Sequence, residues 1–259
     1  MKKAKKENIK SINLALYFGL LVLLIIIISI SFKTIDIIRK SEFDSKNRFT
    51  VAVLNGKNLD LISVDPSIGQ QTGIRVENAK SLDSIDEFSI PVDVFVESDS
   101  DFSSESKSVF LKMLLNKREL KSSLNVLDLL KLSIYSFGVD GEKFSYQNIR
   151  FGDEAKLNSL SSSEFIDETI SQDKVNIQVT NSTEVGGLGN KIAKTITNLG
   201  GNVVLVNSSK DKVGDSVIYY KEKTYTVEKL SKVLDIKIEK NETNSIADII
   251  IVLGEDQEE

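Results

Sequence analysis

The chain has 259 residues, of which 33 are basic and 38 acidic, and it contains no His, Cys or Trp. The absence of Cys excludes disulfides, thiolate nucleophiles and thiolate metal sites. The absence of His excludes a Ser-His-Asp triad and imidazole metal ligands. Any catalysis would therefore depend on carboxylates, Lys, Tyr or Ser, and a hydrophobic content of 41% is typical of a globular protein with one or two domains.

The first element is an uncharged apolar run from Leu14 to Phe32. As a helix it would span about 28 Å at ~1.5 Å per residue, close to the hydrocarbon thickness of a bilayer. A cleaved signal peptide is the alternative, but the run is longer than a usual signal core and no small-residue cleavage site follows it, since Lys33 comes next. The sequence therefore predicts an uncleaved single-pass anchor at 14–32, with a tail at 1–13 and a polar stalk at 33–48.

The charges flanking this run do not decide its orientation, because five basic residues precede it and five follow within a similar distance. We place the tail in the cytoplasm and the bulk of the chain outside the cell. Residues 1–40 carry eight basic and two acidic residues, which leaves 25 basic and 36 acidic residues, a net charge of −11, for the remainder. A domain with this negative charge binds nucleic acid poorly. It also binds anionic lipid or anionic wall polymer poorly, unless a local basic patch outweighs the overall negative potential.

An α+β domain is predicted over 49–170. Asn55-Gly56 between two apolar strands, 49–54 and 59–64, is a strong hairpin signal, and further strands are expected at 72–76, 90–96 and 145–151. Helices are expected at 105–119 and 123–137, the second with one apolar stripe, a Ser122 or Ser123 cap and a left-handed Gly138 end. That stripe comprises Val126, Leu129, Leu130, Ile134 and Phe137. The Ser-rich stretch 159–163 is expected to be irregular, and the domain boundary is placed near 167–174.

A small α/β domain with a mixed sheet is predicted over 175–255. A strand with alternating apolar residues, 175–179, leads through a Gly-rich loop into a helix that stops at Gly200-Gly201, and a parallel strand follows at 202–206. Further strands are expected at 216–220 and 236–239, with a short helix at 227–234 between them. The apolar run Ile249 to Leu253 is typical of a strand covered on both faces.

This C-terminal segment resembles the LytR C-terminal domain of bacterial envelope proteins. The pattern is an apolar strand with Asn, a Gly-Leu pair opening a helix, a Gly-containing turn and a terminal AD-apolar-VLG-D motif. Ser182-Thr183 departs from the Gly-Thr that is usual there. The residues that carry the resemblance are Asn181, Gly187, Leu188, Gly200, Ala247, Asp248, Leu253, Gly254 and Asp256.

The segment before it resembles the LytR-CpsA-Psr domain, through LDLISVDP and through the two helices followed by YQNI. Active members of that family transfer glycopolymers from a polyprenyl-pyrophosphate lipid to the cell wall, using Arg and Asp residues that hold the pyrophosphate and Mg²⁺. The Arg-Asp strand expected after Asp65-Pro66 is missing, and Arg75, Arg118 and Arg150 match no family motif. The resemblance therefore implies a shortened, degenerate and non-catalytic relative.

The loop 184–189 between a strand and a helix is the candidate ligand site, because backbone N–H groups at a helix start bind anions. A tight turn that lets helix and sheet pack closely is the favoured interpretation, since the Gly spacing fits no nucleotide fingerprint. The acidic residues of 93–105 are expected to form a solvated loop, and no metal or cofactor is expected. The candidate ligand-binding residues are Asn181, Gly186, Gly187, Leu188 and Gly189.

These observations favour a membrane-anchored, extracytoplasmic, non-enzymatic binding or scaffold protein of cell-wall assembly or its regulation. Its expected partners are the membrane and either cell-wall polymer or envelope proteins, and no nucleic acid. A divergent glycopolymer phosphotransferase is the enzymatic alternative, and a membrane-tethered regulator that faces the cytoplasm is a third hypothesis.

Overall fold

The computed structural model describes residues 2–79, 89–241 and 245–257, with side chains from residue 16 onward except at position 154. Its first element is the helix α1, Lys2–Arg39. The part Leu16–Arg39 has a mean hydropathy of 2.5 and none of it is buried against the rest of the chain. By length and composition this helix can cross a membrane, as the sequence predicts.

The segment 33–48 differs from the predicted polar stalk. The helix α1 continues to Arg39, and Phe43 is then only 1% exposed. Its ring packs against that of Phe49, with the centroids 5.3 Å apart. Burial of a Phe side chain stabilises by about 1.5–3 kcal/mol, and the backbone N–H groups of Glu42 and Phe43 donate to the buried Asp128. The chain after α1 is therefore part of the folded domain.

A first sheet of five strands follows, in the order β4-β1-β2-β3-β5. The strands β1, β2 and β3 are antiparallel neighbours, whereas β4 and β5 run parallel to β1 and β3. Asn55 pairs with Asn58 at the predicted hairpin, and Gly56 has the positive φ of +60° that this turn requires. The strand bounds are Phe49–Asn55 (β1), Asn58–Asp65 (β2), Gln70–Glu77 (β3), Val94–Ser98 (β4) and Phe144–Arg150 (β5).

Helices cover both faces of this sheet. On one face α2, Val109–Leu115, and α3, Val126–Gly138, pack against apolar residues of β1, β2 and β4. On the other face α4, Glu154–Ser163, packs against β2 and β3, and the short helix α5, Glu168–Asp173, follows. The Ser-rich stretch expected to be irregular is therefore the end of α4, and α5 occupies the predicted domain boundary.

The helix α3 departs from its predicted form at both ends and along its face. Asn125, not Ser122 or Ser123, is its cap, and Gly138 is its last residue without a positive φ. The predicted apolar stripe is divided, because Leu129 packs into the core with Leu132 while the other members are exposed. Both sides of this helix are apolar, so the sequence pattern could not tell which side meets the sheet. The exposed members are Val126, Leu130, Ile134 and Phe137.

The C-terminal sheet has the order β7-β6-β10-β8-β9 and is mixed, as predicted. Only the pair β10 and β8 is antiparallel; the other neighbours are parallel. The helices α6, Leu188–Asn198, and α7, Tyr225–Leu234, share one core with the buried residues of the strands. The strand bounds are Asn176–Asn181 (β6), Asn202–Ser208 (β7), Val217–Tyr220 (β8), Lys237–Lys240 (β9) and Ile249–Leu253 (β10).

The strand β10 is central, but it is not covered on both faces as predicted. Ile249, Ile251 and Leu253 are buried, whereas Ile250 and Val252 are half-buried. The helices α6 and α7 pack through the same core as the first three of these residues. This domain therefore has two layers, in contrast to the three layers around the first sheet.

Polar side chains join the C-terminal domain to the part of the chain that precedes it. Tyr225 on α7 donates a hydrogen bond of 2.8 Å to Asp167, which caps α5. Asn198, at the end of α6, donates to the carbonyl oxygen of Ser89 at 2.9 Å. Lys229 on α7 reaches across to Asp93 and to the carbonyl oxygen of Arg48.

Candidate functional site

A small polar cavity of about 140 Å³ lies where β6 and β7 end and α6 begins. Because β6 and β7 are parallel, their carboxyl ends meet at the same edge of the sheet, which is where α/β folds commonly bind ligands. The cavity combines three of the five predicted site residues with four residues that the sequence analysis did not select. It is lined by Asn181, Gly187, Gly189, Asn190, Val206, Asn207 and Ser208.

Two glycines of the loop have definite structural roles. Gly187 adopts φ +86° at the cap of α6, a left-handed conformation that favours glycine. At Gly189 an added Cβ would lie 3.3 Å from Val206 Cγ1 and 3.4 Å from Asn181 Cβ. The start of α6 therefore packs closely against β6 and β7, which agrees with the close-packing interpretation of this loop.

The side chain of Asn181 is committed to the loop itself. Its Oδ1 accepts hydrogen bonds from the backbone N–H of Thr183 at 3.1 Å and from the Thr183 hydroxyl at 2.8 Å. Its Nδ2 donates to the carbonyl oxygen of Val185 at 2.9 Å. Asn181 thus shapes the cavity rather than presenting free polar atoms to it.

Gly186 and Leu188, the other two predicted residues, are not in this cavity wall. No atom lies within 4 Å of the position that a Cβ on Gly186 would occupy. Leu188 is buried in the core beneath α6 and contributes to a different cavity, of about 190 Å³, between the two domains.

The exposed polar groups of the cavity come from residues that the motif does not include. Asn190, Asn207 and Ser208 are exposed, and Asn207 Oδ1 accepts a hydrogen bond of 2.7 Å from Thr180. The predicted parallel pairing of the two strands was the signal that could have pointed to Asn207 and Ser208, since they directly follow the predicted strand 202–206 and form the end of β7.

The aspartates and glycine of the terminal motif hold the domain together. Asp248 accepts from the backbone N–H of Asn176 at 2.9 Å. Asp256 accepts from the backbone N–H of Ser216 at 3.0 Å, and Ser216 Oγ in turn accepts from the N–H of Gly254 at 2.8 Å. These residues fix the ends of β6, β8 and β10, so the terminal motif has a structural role.

The first sheet holds a cluster of Arg and Asp side chains. Arg75 Nη2 lies 2.8 Å from Asp60 Oδ2 and 2.6 Å from Asp101 Oδ1, and its side chain is 14% exposed. The hydrogen bond to Asp60 is the main cause that raises the pKa of Arg75 above its usual range. Asp60 also accepts from the N–H and hydroxyl of Ser104, so both carboxylates and the guanidinium are already paired.

A second buried pair joins Arg48 and Asp65, whose Nη2 and Oδ2 lie 3.0 Å apart. The hydroxyl of Tyr135 donates to the carbonyl oxygen of Asp65 at 2.7 Å. Burial, with the nearby Asp65 carboxylate, raises the pKa of Tyr135 to about 12. Both the carboxylate and the carbonyl oxygen of Asp65, in the SVDP sequence, are thus occupied by contacts inside the first domain.

The acidic residues between 93 and 105 do not converge. Asp93 faces Lys229, Asp101 faces Arg75, and Glu97 lies 3.5 Å from Lys121. Among residues 2–79, 89–241 and 245–257, no group of three or more acidic side chains is arranged to hold a metal ion.

Residues 174–256 match the family model LytR_C, described as the LytR cell envelope-related transcriptional attenuator. The chain therefore carries a LytR C-terminal domain, as the motif residues predict, and this domain links it to the cell envelope. The match does not extend to the preceding segment, so the LytR-CpsA-Psr resemblance of 49–170 stays a prediction. No curated protein matches the chain significantly. No solved structure does so either.

Proposed function

We propose that this chain is a membrane-anchored, extracytoplasmic binding or scaffold protein of cell-envelope assembly or its regulation, without enzymatic activity. One observation carries the proposal: a LytR C-terminal domain at 174–256 lies on the same chain as an exposed apolar helix, Leu16–Arg39, that is long enough to span a bilayer. With its N-terminal tail in the cytoplasm, such a chain holds both folded domains against the outer face of the membrane.

The state of the Arg and Asp side chains in the first sheet supports a non-enzymatic role. Transfer of a glycopolymer from a pyrophosphate lipid needs cations that are free to meet the phosphates. Arg75 is instead held by Asp60 and Asp101, and Arg48 by Asp65. The divergent phosphotransferase would need these pairs to open, so it is the weaker of the two functions.

The polar cavity beside α6 is the binding site that we propose for the scaffold role. Of the residues that the sequence analysis selected, Asn181, Gly187 and Gly189 line it, and the exposed side chains of Asn190 and Asn207 supply its polar contacts. The neighbouring strand β7 is at the edge of its sheet and exposes Val204 and Leu205. A net charge of −11 outside residues 1–40 favours an uncharged or basic ligand over an anionic wall polymer.

Protease accessibility on intact cells tests the orientation. A tag at the C-terminus of the full chain should be removed by external protease, while a tag at the N-terminus stays protected. The reverse pattern would support the cytoplasm-facing regulator and overturn the extracytoplasmic proposal.

Co-sedimentation with purified, polymer-stripped cell-wall sacculi tests the cavity. The full chain in detergent should sediment with sacculi, and Asn190→Trp, which fills the cavity mouth, should release it. Ile246→Trp places the same side chain at a fully exposed position outside the cavity and is the matched control. Equal sedimentation of both variants would overturn the assignment of the cavity, and no sedimentation of the unmodified chain would leave envelope proteins as the partner.

A further inference from the structure

The helix α3 presents an entirely apolar face to its surroundings. Val126, Leu130, Ile134 and Phe137 are 44–66% exposed, and the only other exposed residue of the helix is Gly138. Their spacing places them along one side of the helix. A helix that faces water normally carries charged residues there, so this side of α3 is suited to an apolar neighbour.

The start of α3 is fixed to the end of the anchor helix. Asn125 Nδ2 donates to the carbonyl oxygens of Ile37 and Lys40, at 3.0 Å each. Asp128 Oδ1 accepts from the Ser41 hydroxyl at 2.6 Å and from the backbone N–H groups of Glu42 and Phe43 at 2.9 and 3.1 Å. Because Asp128 is fully buried, these bonds hold α3 in one position relative to the exit of α1.

The same contacts set the depth of α3. If the hydrocarbon region ends at Phe32, Ile37 lies about 7 Å further along the helix at ~1.5 Å per residue. The headgroup layer on each side of a bilayer is roughly 5–8 Å thick. The N-terminus of α3 is therefore at headgroup level. Ile35, Ile37 and Ile38 of α1 are exposed as well, so the apolar surface of the anchor reaches the point where α3 is attached.

We propose that α3 lies on the membrane surface, with Val126, Leu130, Ile134 and Phe137 inserted into the boundary between headgroups and acyl chains of the leaflet from which α1 emerges. This inference rests on the membrane anchor of the proposed function. An apolar helix face typically enters this boundary by about 5–10 Å. The acidic residue of α3, Asp128, is buried, so no carboxylate of the helix opposes insertion.

Lipid is favoured over a protein partner for two reasons. A stable protein–protein interface takes about 20 residues from each side, whereas this face offers four large side chains. Lipid is also always adjacent, because the anchor and α3 are joined by hydrogen bonds instead of a flexible stalk.

The sequence contains no Trp, so single-Trp variants of the full chain report on one position each. We would reconstitute Ile134→Trp into vesicles of phosphatidylethanolamine and phosphatidylglycerol, with and without brominated acyl chains, and measure quenching of the indole emission. Ile26→Trp, inside the anchor, is the insertion reference. Ser159→Trp, at an exposed position of α4 on the opposite face of the first sheet, is the matched control.

The expected result is a loss of emission in brominated vesicles for Ile134→Trp and Ile26→Trp, with no loss for Ser159→Trp. Quenching of Ile26→Trp without quenching of Ile134→Trp would overturn the docking of α3 and leave the anchor standing. A blue-shifted but unquenched Ile134→Trp would show that protein covers the face, which also overturns the proposal. An unquenched Ile26→Trp would overturn the anchor and the docking together, and equal quenching of all three would show that α3 has no special contact with lipid.

Discussion

Lys229 of α7 and Asp93 of the first domain form a buried ion pair across the boundary between the two domains. Lys229 Nζ lies 2.6 Å from Asp93 Oδ1, and the two side chains are 5% and 4% exposed. Lys229 also donates to the carbonyl oxygen of Arg48 at 2.7 Å, while Asp93 Oδ2 accepts from the N–H of Thr50 at 2.8 Å. The LytR C-terminal domain is thus bound to the start of β1 through one cation.

Lys229→Met should therefore weaken the association of the two domains. Removing one partner of a buried pair leaves the other charge without compensation, which costs about 3–5 kcal/mol. Urea unfolding of the full chain, followed with limited proteolysis between the domains, measures the loss. Lys223→Met breaks the exposed pair with Glu228 at 3.0 Å and should leave the unfolding midpoint nearly unchanged, because exposed ion pairs contribute little to stability. Equal effects of the two substitutions would show that the buried pair does not join the domains.

The burial of Asp167, which accepts a hydrogen bond from Tyr225, makes stability depend on pH. Burial raises the pKa of Asp167 above the usual 3.8, although the hydrogen bond from Tyr225 opposes this. The folded state then keeps this proton to a higher pH than the unfolded state does. The corresponding stabilisation is complete below about pH 4 and is lost as pH rises through the folded-state pKa.

Asp167→Asn should remove this dependence, so its stability relative to the unmodified chain should increase as pH rises above 4 and then become constant. The amide keeps an oxygen for the N–H groups of Thr169 and Ile170 that Asp167 now caps. Tyr225→Phe removes the hydrogen bond that lowers the pKa of Asp167. The pH range over which the stabilisation is lost should therefore move to higher pH. Thermal unfolding from pH 3.5 to 8 checks both variants. A difference in stability between Asp167→Asn and the unmodified chain that does not vary with pH would contradict the raised pKa of Asp167.

Gln71 of β3 is fully buried, and within the part of the chain that the structure describes neither its Oε1 nor its Nε2 has a hydrogen-bond partner. A buried amide without partners costs about 1–3 kcal/mol of desolvation. Gln71→Met, of similar size, should therefore raise the free energy of unfolding by about 1 kcal/mol. Gln70→Met is the control, because Gln70 is half-buried and bonds to Thr72. Destabilisation by Gln71→Met would indicate that the amide has a bound partner such as water.

Gly254 of the terminal motif should tolerate no side chain. An added Cβ would lie 2.7 Å from the backbone carbon of Asp215 and 2.9 Å from the carbonyl oxygen of Gly214. Because backbone atoms cannot move aside cheaply, Gly254→Ala should cost about 1–3 kcal/mol. Gly186→Ala, where no atom lies within 4 Å, should leave the unfolding midpoint unchanged. A neutral Gly254→Ala would contradict the close approach of these two backbones.

Much of the fold, and of the candidate site within it, was predictable from local pattern. The Asn-Gly hairpin, the helix after the Gly-rich loop and the parallel strand that follows it depend on residues close in sequence, and the structure confirms each. The close packing of α6 against β6 and β7 at Gly189 also agrees with the interpretation of the Gly-rich loop as a tight turn. Asn207 and Ser208 were missed, because the predicted parallel pairing was not followed to the edge where both strands end, and Asn190 was missed because it lies just beyond the loop 184–189.

The sequence by itself determined the apolar helix near the N-terminus and the C-terminal α/β domain, since hydrophobic period, turn residues and a motif within about 80 residues act locally. It could not determine which side of α3 meets the sheet, because both sides are apolar and only packing against β1 and β2 selects Leu129 over Leu130. Nor could it predict that Asp93 meets Lys229, or that Asp128 holds the segment that follows α1. The residues of each contact lie far apart in the chain. The contacts exist only because the tertiary structure buries these charges together with the groups that pair with them, since a buried charge without partners is costly.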